Sequence, residues 1–172
     1  MMNLDFLNIK NPSETEFKAI ADKFFHEYAI KTYNSIYRIV EMEFYWNSKE
    51  HEDGSTYKRK HVDPKAGEWF FHYSGVDIAI KNEKTGGYGG ILIRSVIDIN
   101  DDNQLYKGPM VCAMRLFSGT SAFNSTIPTS IIHHSFDKEE IYFSERIGIG
   151  QNGKINGADK HPYRFFIAPI KK

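Results

Sequence analysis

The stretch Ile36-Tyr37-Arg38-Ile39-Val40-Glu41-Met42-Glu43-Phe44-Tyr45-Trp46 decides how this chain is read. It is dense in β-branched and aromatic residues, and its hydrophobicity repeats every two positions, which reads as a β-strand. Side chains alternate across a strand, so Ile36, Val40, Met42, Phe44 and Trp46 share one face, with Arg38 as the exception. Tyr37, Ile39, Glu41, Glu43 and Tyr45 share the other. The first face reads as core. The second lines up two carboxylates and a tyrosine.

Upstream, Ser13-Glu14-Thr15-Glu16 is a capping-box pattern. Phe17, Ile20, Ala21, Phe24, Phe25 and Tyr28 follow at helical spacing, so the sequence predicts an amphipathic helix over 13–28 on the outside of the sheet. Downstream, 47–64 reads as a polar loop whose length inside one domain points to function. Residues 68–80 read as a strand or a hairpin turning at Ser74-Gly75, and 91–99 as a further strand. Gly108-Pro109 opens a short helix through Phe117, and 118–130 is a loop. Short strands are expected over 140–143, 147–149 and 163–167, with a polar loop over 151–160. Runs of strands with few flanking helices predict one α+β or mainly-β domain.

Composition bounds the function. The chain has 172 residues, 41% hydrophobic and 15% aromatic, which suits one packed core and excludes a disordered chain. Lys plus Arg and Asp plus Glu are 22 each, so bulk charge gives no support for duplex nucleic acid as a partner. No apolar run approaches the roughly 20 residues of a membrane span. The opening Met1-Met2-Asn3-Leu4-Asp5 has no basic, apolar leader pattern, which predicts a cytoplasmic protein. The single Cys112 excludes an internal disulfide and a multi-Cys zinc site, and reads as a buried small hydrophobe.

Three groups of residues carry chemistry. Glu41, Glu43 and Tyr45 offer a general base beside a stacking wall, or else a solvated strand face. His51-Glu52-Asp53, with His61 and His72 downstream, offers imidazole and carboxylate ligands, but the spacing matches no zinc motif and no metal is assigned. Arg94 sits in the apolar run Ile91-Leu92-Ile93-Arg94-Ser95-Val96, where a charge is costly unless paired or facing a site. It either pairs with Glu41 or Glu43, or binds an anionic group such as a phosphate. Thr85-Gly86-Gly87-Tyr88-Gly89-Gly90 lacks the ending of a P-loop and reads as a turn, so no cofactor is indicated. No serine- or cysteine-hydrolase motif occurs.

Five blocks, in order, resemble the alkyladenine (3-methyladenine) DNA glycosylase family. They are Tyr37 to Tyr45, Ile91 to Val96, Gly108-Pro109 with Cys112-Ala113-Met114, Arg146-Ile147-Gly148-Ile149-Gly150, and Pro162-Tyr163-Arg164-Phe165-Phe166. The resemblance covers about 36–167 and implies a single α+β domain over 1–172, with an antiparallel β core and flanking helices. It implies hydrolysis of an N-glycosidic bond, with DNA as partner and base excision repair as setting. Glu43 takes the place of the base that activates water, Arg94 that of the active-site arginine, and Tyr45 that of an aromatic stacking on a flipped-out base. His51 is nearest to a family histidine. Phe71-His72-Tyr73-Ser74-Gly75 stands where the family carries its duplex wedge, with Ser74 in the wedge position unless Tyr73 takes its part. Met110-Val111 stand where the family has a lysine. His51-x-Asp53, Trp69 to His72, Gly75-Val76-Asp77 and Gly89 to Arg94 resemble a divergent bacterial branch of the same fold.

Two functional readings follow. In one the chain is a glycosylase-like hydrolase acting on a damaged base or nucleoside-type ligand, with Glu43 as base, Tyr45 and Tyr73 as walls, and Arg94 on an anionic or sugar-phosphate group. In the other it binds a small polar ligand without turnover: His51, Asp53, His72 and Arg94 recognise it, and Glu43 merely pairs with Arg94. A weaker third reading makes His51, Asp53 and His72 a metal site.

Overall fold

A computed structural model describes residues 4–56, 64–120, 123 and 128–168. Strand β2 (Ile36–Asn47) is its axis. One edge of β2 pairs with β5 (Tyr88–Asp98), from Tyr37 opposite Asp98 to Asn47 opposite Tyr88. The other edge is shared between β1 (Tyr28–Lys31) and β9 (Arg164–Phe166). Beyond β5 lie β4 (Gly75–Lys81) and β6 (Gln104–Lys107), and β3 (Trp69–His72) forms a hairpin with β4. β7 (Ser130–His133) extends β1, and β8 (Tyr142–Ser144) extends β9. Every one of these pairings is antiparallel, and among the described residues the nine strands form one sheet. With α1 (Glu14–His26), α2 (Pro109–Phe117) and α3 (Gln151–Lys154), the chain is an α+β fold with an antiparallel core and flanking helices.

Helix α1 lies against β2 through the stripe read from sequence. Phe17, Ile20, Ala21, Phe24 and Phe25 are buried, and the Phe17 ring stacks on Phe44 at 4.7 Å. Ser13 caps it by accepting from the Glu16 N–H at 3.2 Å. Glu16 does not reach back to Ser13; its carboxylate accepts from the Lys10 and Asn11 N–H groups. The helix ends at His26, short of the expected Tyr28, because Tyr28 to Lys31 are drawn into the sheet between β2 and β7. Helix α2 begins at Pro109 as expected, after Gly108 turns the chain at φ 102°. Its Cys112 is buried, and burial pushes the thiol up to about 12.

Two segments differ from expectation. Residues 147–149 are not a strand, since Gly148 adopts φ 74°, a left-handed turn that extended backbone cannot contain. Residues 151–160, expected as a loop, form α3 and a 3₁₀ segment, Ile155–Lys160.

The alternation of β2 also changes partway. Tyr37, Ile39, Val40, Met42, Phe44 and Trp46 all lie in the core. The parity therefore flips at Ile39-Val40. The cause is a β-bulge, marked by register shifts against β5 between Ile39 and Glu41 and between Glu41 and Met42. A bulge sets two residues against one and re-aims the side chains after it. Arg38 is thus no exception: before the bulge, even positions point away from the core. Its guanidinium bonds the Glu139 carboxylate at 2.7 Å and lies over Phe136.

Candidate functional site

The same irregularity builds the site. Opposite the bulge, β5 places Arg94 and Ser95 on one side, where both reach Glu41. The Ser95 hydroxyl donates to Glu41 at 2.5 Å, Arg164 Nε donates at 2.7 Å, and Arg94 Nε donates at 3.3 Å. Burial alone raises the carboxyl's pKa, but the Ser95 hydroxyl and the two guanidiniums outweigh it and hold it below the usual range.

Glu43, two residues on, has no solvent-exposed surface. The Tyr45 hydroxyl donates to Oε2 and the Ile147 N–H to Oε1, both at 2.7 Å. Arg94 Nη1 lies 3.3 Å from Oε2. Here burial dominates and raises the pKa, offset in part by Arg94, the Ile147 N–H and the Tyr45 hydroxyl. Burial and the neighbouring carboxylate likewise push the Tyr45 phenol up. Arg94 thus bridges two carboxylates of opposite tendency, one held ionised and one pushed toward its neutral form.

A cavity of about 490 Å³ opens above this network. Tyr45, Leu92 and Arg94 belong to its lining from the sheet, and Ser55 from the loop after β2. The β3–β4 hairpin contributes His72, Tyr73, Ser74 and Asp77, and the segment Ile147 to Gly153 closes the far side. The sheet explains the convergence. Asp77, Leu92, Glu43, Arg164 and Ser144 stand opposite one another on β4, β5, β2, β9 and β8, and directly opposed residues point to one face. Gly75 lets the hairpin close against α2, since a Cβ there would meet Pro109 at 2.9 Å.

Of the residues singled out by sequence, Tyr45, His72, Tyr73 and Arg94 line the cavity, and Glu43 lies beneath it. One face of the Tyr45 ring is taken by the Arg146 guanidinium at 4.6 Å. Tyr73 is 81% exposed at the hairpin tip. Asp53 is buried as structure: it bonds Arg146 Nη1 at 2.6 Å and the Ser55 N–H at 2.9 Å, fixing the loop that supplies Ser55. His51 does not line the cavity. Its Nε2 is 3.1 Å from the Tyr163 hydroxyl, its ring packs on His161, and burial followed by the His161 charge lowers its pKa. His61 lies outside the described residues. Among the described residues, no three His, Cys, Asp or Glu side chains converge as metal ligands.

Three elements of the site escape the sequence reading. Asp77 stands in the apolar run Val76-Asp77-Ile78-Ala79-Ile80, and the criterion that picked Arg94 applies equally to it. Arg146 was quoted only within a family block, yet its side chain is fully buried, with bonds to Asp53, the Phe44 carbonyl and the Ala158 carbonyl. The Ile147 N–H is backbone and leaves no signal in residue identity. No helix among the described residues is long and apolar enough to cross a membrane. No protein-family model and no curated protein matches the chain.

Proposed function

We propose that the chain is a glycosylase-like hydrolase that takes a nucleobase- or nucleoside-type ligand into this cavity and cleaves its N-glycosidic bond, with Glu43 as general base. The observation that carries this reading is Glu43 itself: a carboxylate of raised pKa, beside Arg94, under a cavity bordered by Tyr45 and Tyr73. A base works best when its pKa approaches the working pH, and burial moves Glu43 that way. A carboxylate has about four lone-pair sites, and three here receive Tyr45, Ile147 and Arg94. The fourth takes a water once Arg94 or the Ile147 segment moves aside. Glu43 takes a proton from that water as its oxygen attacks the anomeric carbon. The carbon–nitrogen bond breaks, its electron pair leaves on the base nitrogen, and the proton follows from Glu43. Arg94 steadies the carboxylate while it is charged. Among the described residues, the cavity lining has Arg94 and Asp77 as its charged residues and no lysine, which favours a nucleoside-sized ligand over a long DNA backbone.

One observation favours binding without turnover. Glu43 has no exposed surface, so a water reaches it only if Arg94 or the Ile147 segment moves. Chromatography of free base released from a nucleoside panel separates the two readings. Release by the wild type, lost in Glu43→Gln while ligand still raises the melting temperature, supports hydrolysis. Stabilisation without release in the wild type establishes the binding reading. Undiminished release by Glu43→Gln removes Glu43 from the mechanism.

A further inference from the structure

Arg94 is divided between two carboxylates. Its Nε lies 3.3 Å from Glu41 Oε1, and its Nη1 lies 3.3 Å from Glu43 Oε2. Both contacts are longer than the roughly 2.7–2.9 Å of a full charge-assisted bond, so neither carboxylate holds the guanidinium outright. The reason lies at Glu41. Arg164 Nε donates to the same Oε1 at 2.7 Å, and the Ser95 hydroxyl donates to Oε2 at 2.5 Å. With both oxygens served, Glu41 draws on Arg94 only weakly, and Glu43 receives the rest. Around Glu43 stand Arg94 on β5, Tyr45 on its own strand, the Ile147 N–H and, beyond Tyr45, Arg146. Arg164 stands opposite it on β9 but bonds Glu41 instead. Burial acts most strongly on Glu43, and Arg94 opposes burial most strongly. Glu41 is held below the usual carboxylate range and Glu43 above it, so Glu41 stays charged while Glu43 titrates.

Resting on the hydrolase reading of this cavity, we propose that Glu41 is a positioning residue for the general base: with Ser95 and Arg164 it fixes how far Arg94 reaches toward Glu43, and so how readily Glu43 takes the proton of the attacking water. Glu41 does not belong to the cavity lining, and it acts through Arg94. Two substitutions tip the balance in opposite directions. Glu41→Gln releases Arg94 toward Glu43, which favours the charged carboxylate and weakens the base. Ser95→Ala changes no charge. It takes the hydroxyl from Glu41 Oε2, strengthens the pull of Glu41 on Arg94, and leaves Glu43 a stronger base.

The test is the pH profile of kcat/KM for base release from adenosine, guanosine, cytidine and uridine by the wild type, Glu41→Gln and Ser95→Ala. An NMR titration of the Glu43 carboxyl carbon, identified by its loss in Glu43→Gln, runs beside it. The acid limb of the profile and the carboxyl titration should move together, down by about one pH unit in Glu41→Gln and up by roughly 0.3 unit or more in Ser95→Ala. Removing the Glu41 charge also acts on Glu43 directly and in the same direction, so the charge-neutral Ser95→Ala decides. An acid limb and a carboxyl titration that stay in place in Ser95→Ala, or move down, overturn the proposal and leave the hydrolase reading standing. A role in holding the fold alone lowers the rate or the melting temperature and moves neither. Failure of the wild type to release any base overturns the hydrolase reading and the catalytic role of Glu41 with it, while the carboxyl titration still reports whether Arg94 is shared. Ser95→Ala settles the matter even if Glu41→Gln does not fold.

Discussion

Replacing Glu41 by Gln removes one charge from a network of two carboxylates and two arginines without changing its shape. The side chain is 8% exposed, and it accepts from Ser95, Arg164 and Arg94. Removing one partner of a buried pair typically costs about 3–5 kcal/mol. Two features reduce that here. Arg94 retains Glu43 at 3.3 Å, and Arg164 retains the Ser144 hydroxyl at 3.1 Å and the Phe166 face. Both guanidiniums are also slightly exposed, 15% and 14%, so water offsets part of the loss. The expected cost is about 2–3 kcal/mol, which for a chain of this size lowers the melting temperature by roughly 5–10 °C. Urea titration of both proteins near neutral pH reads the difference directly. The pH dependence gives a second check. Glu41 is held below its ordinary value of 4.5, so its contribution is fully present above that value. It is lost as pH falls through the folded value, and the two proteins converge in acid. A neutral-pH difference below about 0.5 kcal/mol, the range of an ordinary surface change, refutes the reading of Glu41 as the buried partner of Arg94 and Arg164.

Other perturbations probe the parts around it. Gly89→Ala places a Cβ 1.9 Å from the Tyr45 carbonyl oxygen, a clash between backbones that cannot relax, and should cost more than about 3 kcal/mol in a chemical melt. Arg146→Met leaves Asp53 buried without its cation and should cost about 3–5 kcal/mol. Limited proteolysis should then cut first in the loop around Asp53, and uncut protein of normal stability contradicts the role given to that pair. His51 is held below its ordinary 6.5 by burial and by His161, so the folded state binds fewer protons than the unfolded chain. Stability should therefore fall as pH drops through about 6.5, and His51→Gln should flatten that fall; an unchanged slope refutes it.

The fold was legible where one rule governed a segment. Ser13 and the Phe17 stripe obey helical spacing, Gly108-Pro109 opens a helix, and β5 follows from its apolar run. Legibility failed where backbone geometry intervened. The alternation of β2 could be written down, but the bulge that inverts it depends on pairing with β5, and Arg38 was its only trace. Arg94 was found because a charge in an apolar strand is costly, and Glu43 because alternation sets it beside Glu41 and Tyr45 and the family block gives it the place of the base. Asp77 stands in an equally apolar run, but the sequence reading quoted it only within the block Gly75-Val76-Asp77 and gave it no role. His51 was singled out for its spacing to Asp53 and as the residue nearest a family histidine, whereas ring packing turns it toward Tyr163 and His161. These cases share a cause. Residue identity reports which groups must find partners, and sheet register decides which partners they find. The register places Asp77 and Glu43 on either side of Leu92, and the bulge turns Arg94 toward both glutamates. A strand shifted by one residue would keep every charge in the sequence and scatter all four to opposite faces. The chemistry proposed for the cavity is therefore a property of the bulge as much as of Glu43, and a change that irons out the bulge should abolish it while leaving every named side chain present.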